Sequence, residues 1–134
     1  MIRFWKQREG TLGHLEMEVM EIMWERGEAS VHDVAPLLKR PLAYTTVMTT
    51  LDRLFKKELL NRRKSERAFF YSPRLSRLEW EQKRTGDFVS AFQSSELLIS
   101  CLVEAVGRHD VALLDELEKK IKAKRKELER RRKA

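Results

Sequence analysis

Between Gly13 and Glu25 apolar residues return at the spacing of one helical face. Leu15, Val19, Ile22 and Met23 form that face, and Glu16, Glu18, Glu21 and Glu25 occupy the others. The pattern predicts a first helix. Gly27 predicts its end, since the position after a last turn often needs positive φ. Ser30 predicts the N-cap of a second helix, with Asp33 three residues on as a short capping box. Val31, Val34, Leu37 and Leu38 give that helix a buried face. Pro36 falls beyond its first turn, where it removes a hydrogen bond and crowds a carbonyl at a cost of about 3 kcal/mol. A kink or a short helix is therefore expected.

Lys39-Arg40-Pro41-Leu42 reads as a turn, followed by a third helix from about Tyr44 to Lys57. Its predicted inward stripe is Tyr44, Val47, Leu51, Leu54 and Phe55. The opposite face carries Thr45, Thr49, Asp52, Arg53 and Lys56, with Thr46 beside them. Leu60–Lys64 and Ala68–Tyr71 read as two short strands around the turn Ser65-Glu66-Arg67. Three helices and then a basic hairpin is the order of a winged helix.

After Pro73 the pattern returns to helix. Ser76 caps a predicted segment running to about Phe92, with Leu78, Phe88, Val89 and Phe92 as its apolar face. Ser94 or Ser95 caps another through Leu97–Val106. Asp110 caps the last, where Leu114, Leu117, Ile121 and Leu128 are spaced close to a heptad seam. These helices have little partner surface of their own, so a second copy of the chain is the economical cover. The fold expected is mainly α: a winged helix-turn-helix over 1–74 and a helical dimerisation region over 75–134.

Charge sharpens this picture. Net charge is +7, which favours an acidic partner, nucleic acid first and an anionic membrane surface second. The distribution says more than the total. Lys39 to Arg74 holds ten Lys/Arg against three Asp/Glu, whereas residues 1–38 hold four against seven. Lys119–Lys133 is a second basic block, with ten cations against Glu127 and Glu129; it reads as a solvated helix face. The first block coincides with the third helix and the hairpin.

That coincidence points to duplex DNA. The major groove admits one α-helix, and reading it requires side chains that reach base edges. Thr45, Thr46 and Thr49 lie near the helix N-terminus, where helix-turn-helix proteins contact bases. A threonine supplies a hydroxyl for either base type and a methyl for thymine. Arg53 suits a guanine edge or a phosphate, and Tyr44 a phosphate through its hydroxyl while its ring packs inward. Lys39, Arg40 and Lys56, with the wing cations Arg62, Arg63, Lys64 and Arg67, suit the sugar-phosphate backbone, which sets affinity and register but carries no base information.

Tyr44-Thr45-Thr46-Val47-Met48-Thr49-Thr50-Leu51-Asp52-Arg53-Leu54 resembles the recognition helix of the penicillinase-repressor family of bacterial transcription regulators, the BlaI/MecI group. The stretch Leu12 to Trp24 is similar to the family's opening motif, and Arg67-Ala68-Phe69-Phe70-Tyr71-Ser72-Pro73 to its wing. The resemblance is specific over about residues 12–73 and loose over 74–134. It implies a homodimer that binds a palindromic operator and blocks transcription. It also implies a pathway in which a membrane sensor-protease leads to cleavage inside the dimerisation region, at a bond near Ser100–Cys101. A copper-responsive branch of the family carries a Cys-x-Cys cluster near the C-terminus; Cys101 is the one cysteine here, which argues against that branch.

Other chemistry finds little support. One cysteine excludes an intrachain disulfide, and with its apolar flank Cys101 reads as a buried small hydrophobe. His14, His32 and His109 are too scattered for a local metal site, and no nucleophile–base constellation or Gly-rich phosphate loop stands out. No cofactor and no catalysis are expected. No run approaches the roughly 18 apolar residues of a membrane span, and Met1–Gly10 lacks an apolar stretch of signal-peptide length, so a cytoplasmic protein without membrane insertion is expected. Two alternatives remain at this stage: an architectural or non-specific DNA binder, and a winged helix that docks on a protein.

Overall fold

The computed structural model describes residues 12–134, so the reading of Met1–Gly10 lies outside the described residues. Helix α1 spans His14–Arg26, with Gly13 at its N-cap and the Glu16 carboxylate accepting from the Gly13 N–H at 3.3 Å. Gly27 ends it at φ 86°, as its place in the sequence predicts. The buried side chains of α1 are Val19, Met20 and Met23, while Leu15 and Ile22 pack only at the margin of the core. Met20 thus replaces two members of the predicted stripe.

Strand β1 is the pair Ala29–Ser30, and helix α2 is a single turn, Val31–Val34. The expected capping box is present. The Ser30 hydroxyl accepts from the Asp33 N–H at 3.3 Å, and the Asp33 carboxylate accepts from the Ser30 N–H at 2.9 Å. Pro36 lies in a 3₁₀ turn, Ala35–Leu37, that continues α2. There its missing N–H matters little, because the chain has already left the α-helical hydrogen-bond pattern. Leu37, predicted to be buried, is 47% exposed: the tighter 3₁₀ turn rotates it off the face that Val34 and Leu38 share.

Helix α3 runs Tyr44–Lys56. Strands β2, Leu60–Ser65, and β3, Ala68–Pro73, form the antiparallel wing with pairs from Leu60↔Pro73 to Ser65↔Ala68. The sheet order is β1-β3-β2, and β1 adds Ala29↔Tyr71 and Ser30↔Phe70. A two-residue strand leaves no periodic signal, so the third strand is invisible in the sequence. Tyr71 on the central strand is the largest fully buried side chain, packed in one cluster with Val19, Met23, Val34, Val47, Leu51, Leu54 and Leu60.

Three further helices follow: α4 over Arg77–Ala91, α5 over Ser95–His109 and α6 over Ala112–Lys133. Ser76, Ser94 and Asp110 all accept backbone N–H groups at the helix starts, as predicted (from Glu79, Leu97 and Ala112). The described residues form two compact units, one up to Asp87 and the other Phe88–Ala134. In the first, Trp80 is buried against Trp24 with ring centroids 5.7 Å apart, and the Trp24 indole donates to the Leu75 carbonyl at 3.0 Å.

In the second unit only Leu98 is buried. Gly107 on α5 faces Leu114 on α6 closely enough that a Cβ there would sit 3.5 Å from it. Leu114 and Leu117 are half-buried, whereas Phe88, Val89, Leu97, Ile99, Val103, Ile121 and Leu128 are exposed. Cys101, expected to be buried, is exposed as well: its apolar sequence flank does not fold over it among the described residues. No helix among the described residues is long and apolar enough to cross a membrane.

Candidate nucleic-acid interface

The amphipathic pattern of α3 sets its orientation. Val47, Leu51 and Leu54 are fully buried, and Thr50 joins them at 5% exposure. The sequence gives no reason to bury a threonine, but its hydroxyl donates to the Thr46 carbonyl one turn back at 2.8 Å, so no polar group is left unsatisfied. Thr45, Thr46, Thr49, Arg53 and Lys56 are exposed, which leaves the predicted reading face open to solvent.

Tyr44 departs from expectation. The residue is 47% exposed, because the first residue of a helix has no preceding turn to cover it, and its ring lies tilted 45° against that of His32 with centroids 5.0 Å apart. The reading face therefore begins with an aromatic hydroxyl beside an imidazole. At the other end of α3, Lys57 is joined to Glu16 of α1 at 2.7 Å, and the Lys39 N–H donates to Glu18 of α1 at 2.9 Å. The acidic first helix thus clamps both ends of the turn-and-helix unit from behind.

The wing cations divide by strand alternation, since neighbouring residues point to opposite faces of the sheet. Arg63 lies on the outer face, donating twice to Glu28 at 2.9 and 2.7 Å and lying 4.9 Å from the Phe70 ring. The hydrogen bonds from Arg63 hold the Glu28 carboxyl below its ordinary range. Arg62 lies on the face toward α3, against Asp52, with its guanidinium carbon 4.2 Å from the Phe55 ring and 4.5 Å from the Phe69 ring. Burial pushes the neighbouring Tyr71 phenol up, and Arg62 works in the opposite direction.

Lys64 and Arg67 are exposed at the hairpin tip and, with Lys39, Arg40 and Arg53, have no carboxylate partner among the described residues. Asp52 is the residue that the sequence reading underused. It stands on the same face as the threonines, where a bare carboxylate would repel phosphates. Lys56, one turn on at 3.6 Å, and Arg62 neutralise it. The i, i+4 spacing of Asp52 and Lys56 is a signal that the sequence does contain. Among the described residues no group of three or more His, Cys, Asp or Glu side chains is placed to hold a metal ion.

A short second helix, a turn, a helix with one anchored and one open face, and a basic two-stranded wing define the winged helix-turn-helix class. Comparison with known proteins places the chain within it. The penicillinase repressor family model matches residues 12–123, and the chain belongs to that family. It is 39% identical over 101 residues to a transcriptional regulator, BlaI, of Mycobacterium tuberculosis, covering 72% of each chain. It is 29% identical over 84 residues to a penicillinase repressor of Bacillus licheniformis, covering 61% of this chain and 66% of that one. Among solved structures, the DNA-binding domain of the repressor BlaI aligns with 28% identity and a TM-score of 0.48, over 54% of this chain and 90% of that one.

Proposed function

We propose that this chain is a DNA-binding transcriptional repressor that binds a palindromic operator as a homodimer. One observation carries the reading: on α3 a face of hydroxyls and cations, its one carboxylate Asp52 paired with Lys56 and Arg62, is open to solvent while the opposite face is locked into the core. Thr45, Thr46 and Thr49 read base edges, and Arg53 reaches a guanine or a phosphate from the same helix. Tyr44, Lys39, Arg40, Lys56, Lys64 and Arg67 meet the backbone, and Arg63 joins them by exchanging Glu28 for a phosphate. Membership in the penicillinase repressor family supports the same reading.

The apolar side chains of α4–α6 and of Phe92 just past α4 support dimerisation: Leu78, Phe88, Val89 and Ile121 are exposed, Phe92, Leu114 and Leu117 half-buried, and together they are the residues offered to a second copy. Release by proteolysis, under a membrane sensor-protease, belongs to the same reading. The Ser100–Cys101 bond is exposed but lies inside the continuous helix α5, so a protease reaches it only when that helix opens locally.

Gel shift and anisotropy against duplex fragments upstream of the chain's own gene test the proposal. Thr49→Ala and Arg53→Ala, made singly, weaken binding by about 1–3 kcal/mol where the residue reads a base. Affinity equal for every duplex, or unchanged in both variants, overturns it.

A further inference from the structure

We infer that Arg62 is a positioning residue that fixes the angle of the wing against α3, rather than a cation that neutralises a phosphate. The inference rests on the DNA-binding reading above. Arg62 sits on β2 opposite Tyr71, while its guanidinium carbon lies within 4.2 and 4.5 Å of two rings from different elements, Phe55 of α3 and Phe69 of β3. Its charge is already committed to Asp52 of α3. At 30% its side chain is the least exposed among the Lys and Arg residues that form ion pairs within the described chain; Arg63 keeps 57% and Lys56 75%.

A planar guanidinium can stack on two rings and still donate in its own plane, which an ammonium cannot do. One side chain therefore joins the helix that reads bases to the hairpin that grips the backbone, and in doing so cancels the carboxylate on the reading face. Lys64, two residues on along the same face of β2, lies 5.9 Å from Phe69 and stays exposed at the tip. The division of labour on that face is positional: the inner cation holds, the outer one contacts.

The test uses the full chain and two measurements. In the free protein, Arg62→Lys keeps the charge but loses the double stack, and Phe69→Leu keeps Arg62 but loses one ring. Both are expected to speed hydrogen exchange of the wing amides about tenfold while the α1 amides stay at the wild-type rate. Wild-type wing exchange in both variants overturns the proposal whatever the DNA result.

On the duplex upstream of the chain's own gene, Arg62→Lys and Arg62→Gln are expected to weaken binding to similar degrees with the salt dependence unchanged. An Arg62→Lys variant that binds like wild type, with Arg62→Gln lowering the log–log salt slope by about 0.9 per subunit, identifies a phosphate contact and overturns the proposal. A wild-type protein that prefers no duplex defeats the repressor reading instead, and the exchange rates of the free protein still decide the role of Arg62.

Discussion

Single side chains decide several features that the overall pattern leaves open. Glu58, just past α3, holds φ 65°, a left-handed conformation that an L side chain adopts at a cost and glycine adopts freely. Its ion pair among the described residues, to Arg74 at 3.8 Å, is exposed on both sides and contributes little. Glu58→Gly is therefore expected to raise stability by about 0.5–1 kcal/mol in thermal or urea denaturation, after the extra chain entropy of glycine is subtracted. Asp33 shows the opposite use of a carboxylate. Hydrogen bonds from the Ser30 backbone and hydroxyl hold it below its ordinary value. A folded-state pKa below the unfolded one gives stability that is complete above the unfolded value and is lost as pH falls through the folded one. Denaturation midpoints should drop on acidification through and below the usual carboxylate range, and Asp33→Asn should flatten that limb.

At the scale of elements, helix α3 was legible because Val47, Leu51 and Leu54 sit four and seven residues apart with polar residues between them. The ends of that stripe were not. Tyr44 lies at the helix start, and Phe55 is only half-buried, at the margin of the core, where Arg62 rather than an apolar side chain covers its ring. Thr50 was missed because propensity and polarity both argue against burying it, and only the Thr46 carbonyl makes it acceptable. Trp80 was missed for a different reason: its partner Trp24 is far away in the sequence, and no local period reports a contact of that range.

Pro36 is the instructive element boundary. The position of Pro36 in the sequence predicts a disturbed second helix and a cost for the proline. The structure removes most of that cost by placing the residue in a 3₁₀ turn. Pro36→Ala is accordingly expected to lower stability by about 0.4–1 kcal/mol, through the greater freedom of the unfolded chain, instead of raising it. Urea denaturation at fixed pH reads the sign directly.

For the whole molecule, the contrast between the two units matters most. Residues up to Asp87 close a core around Tyr71; the helices beyond leave Ile99, Val103, Ile121 and Leu128 in water. A charge at such a position costs the single chain little but becomes an unpaired buried charge once a second copy covers it. Ile121→Asp should therefore keep the thermal stability of the first unit while raising the dimer dissociation constant at least about tenfold in sedimentation equilibrium. Wild-type chain that sediments as a monomer at micromolar concentration would count against dimerisation.

Cys101 extends this point. It is the chain's one thiol and it stands open on α5. A maleimide dye or nitroxide therefore attaches at one defined place per subunit, with no mutagenesis. In a two-fold assembly the pair of labels yields a single separation. Following that separation as operator duplex is added would report, in ångströms, whether the subunits shift on one another when they engage DNA.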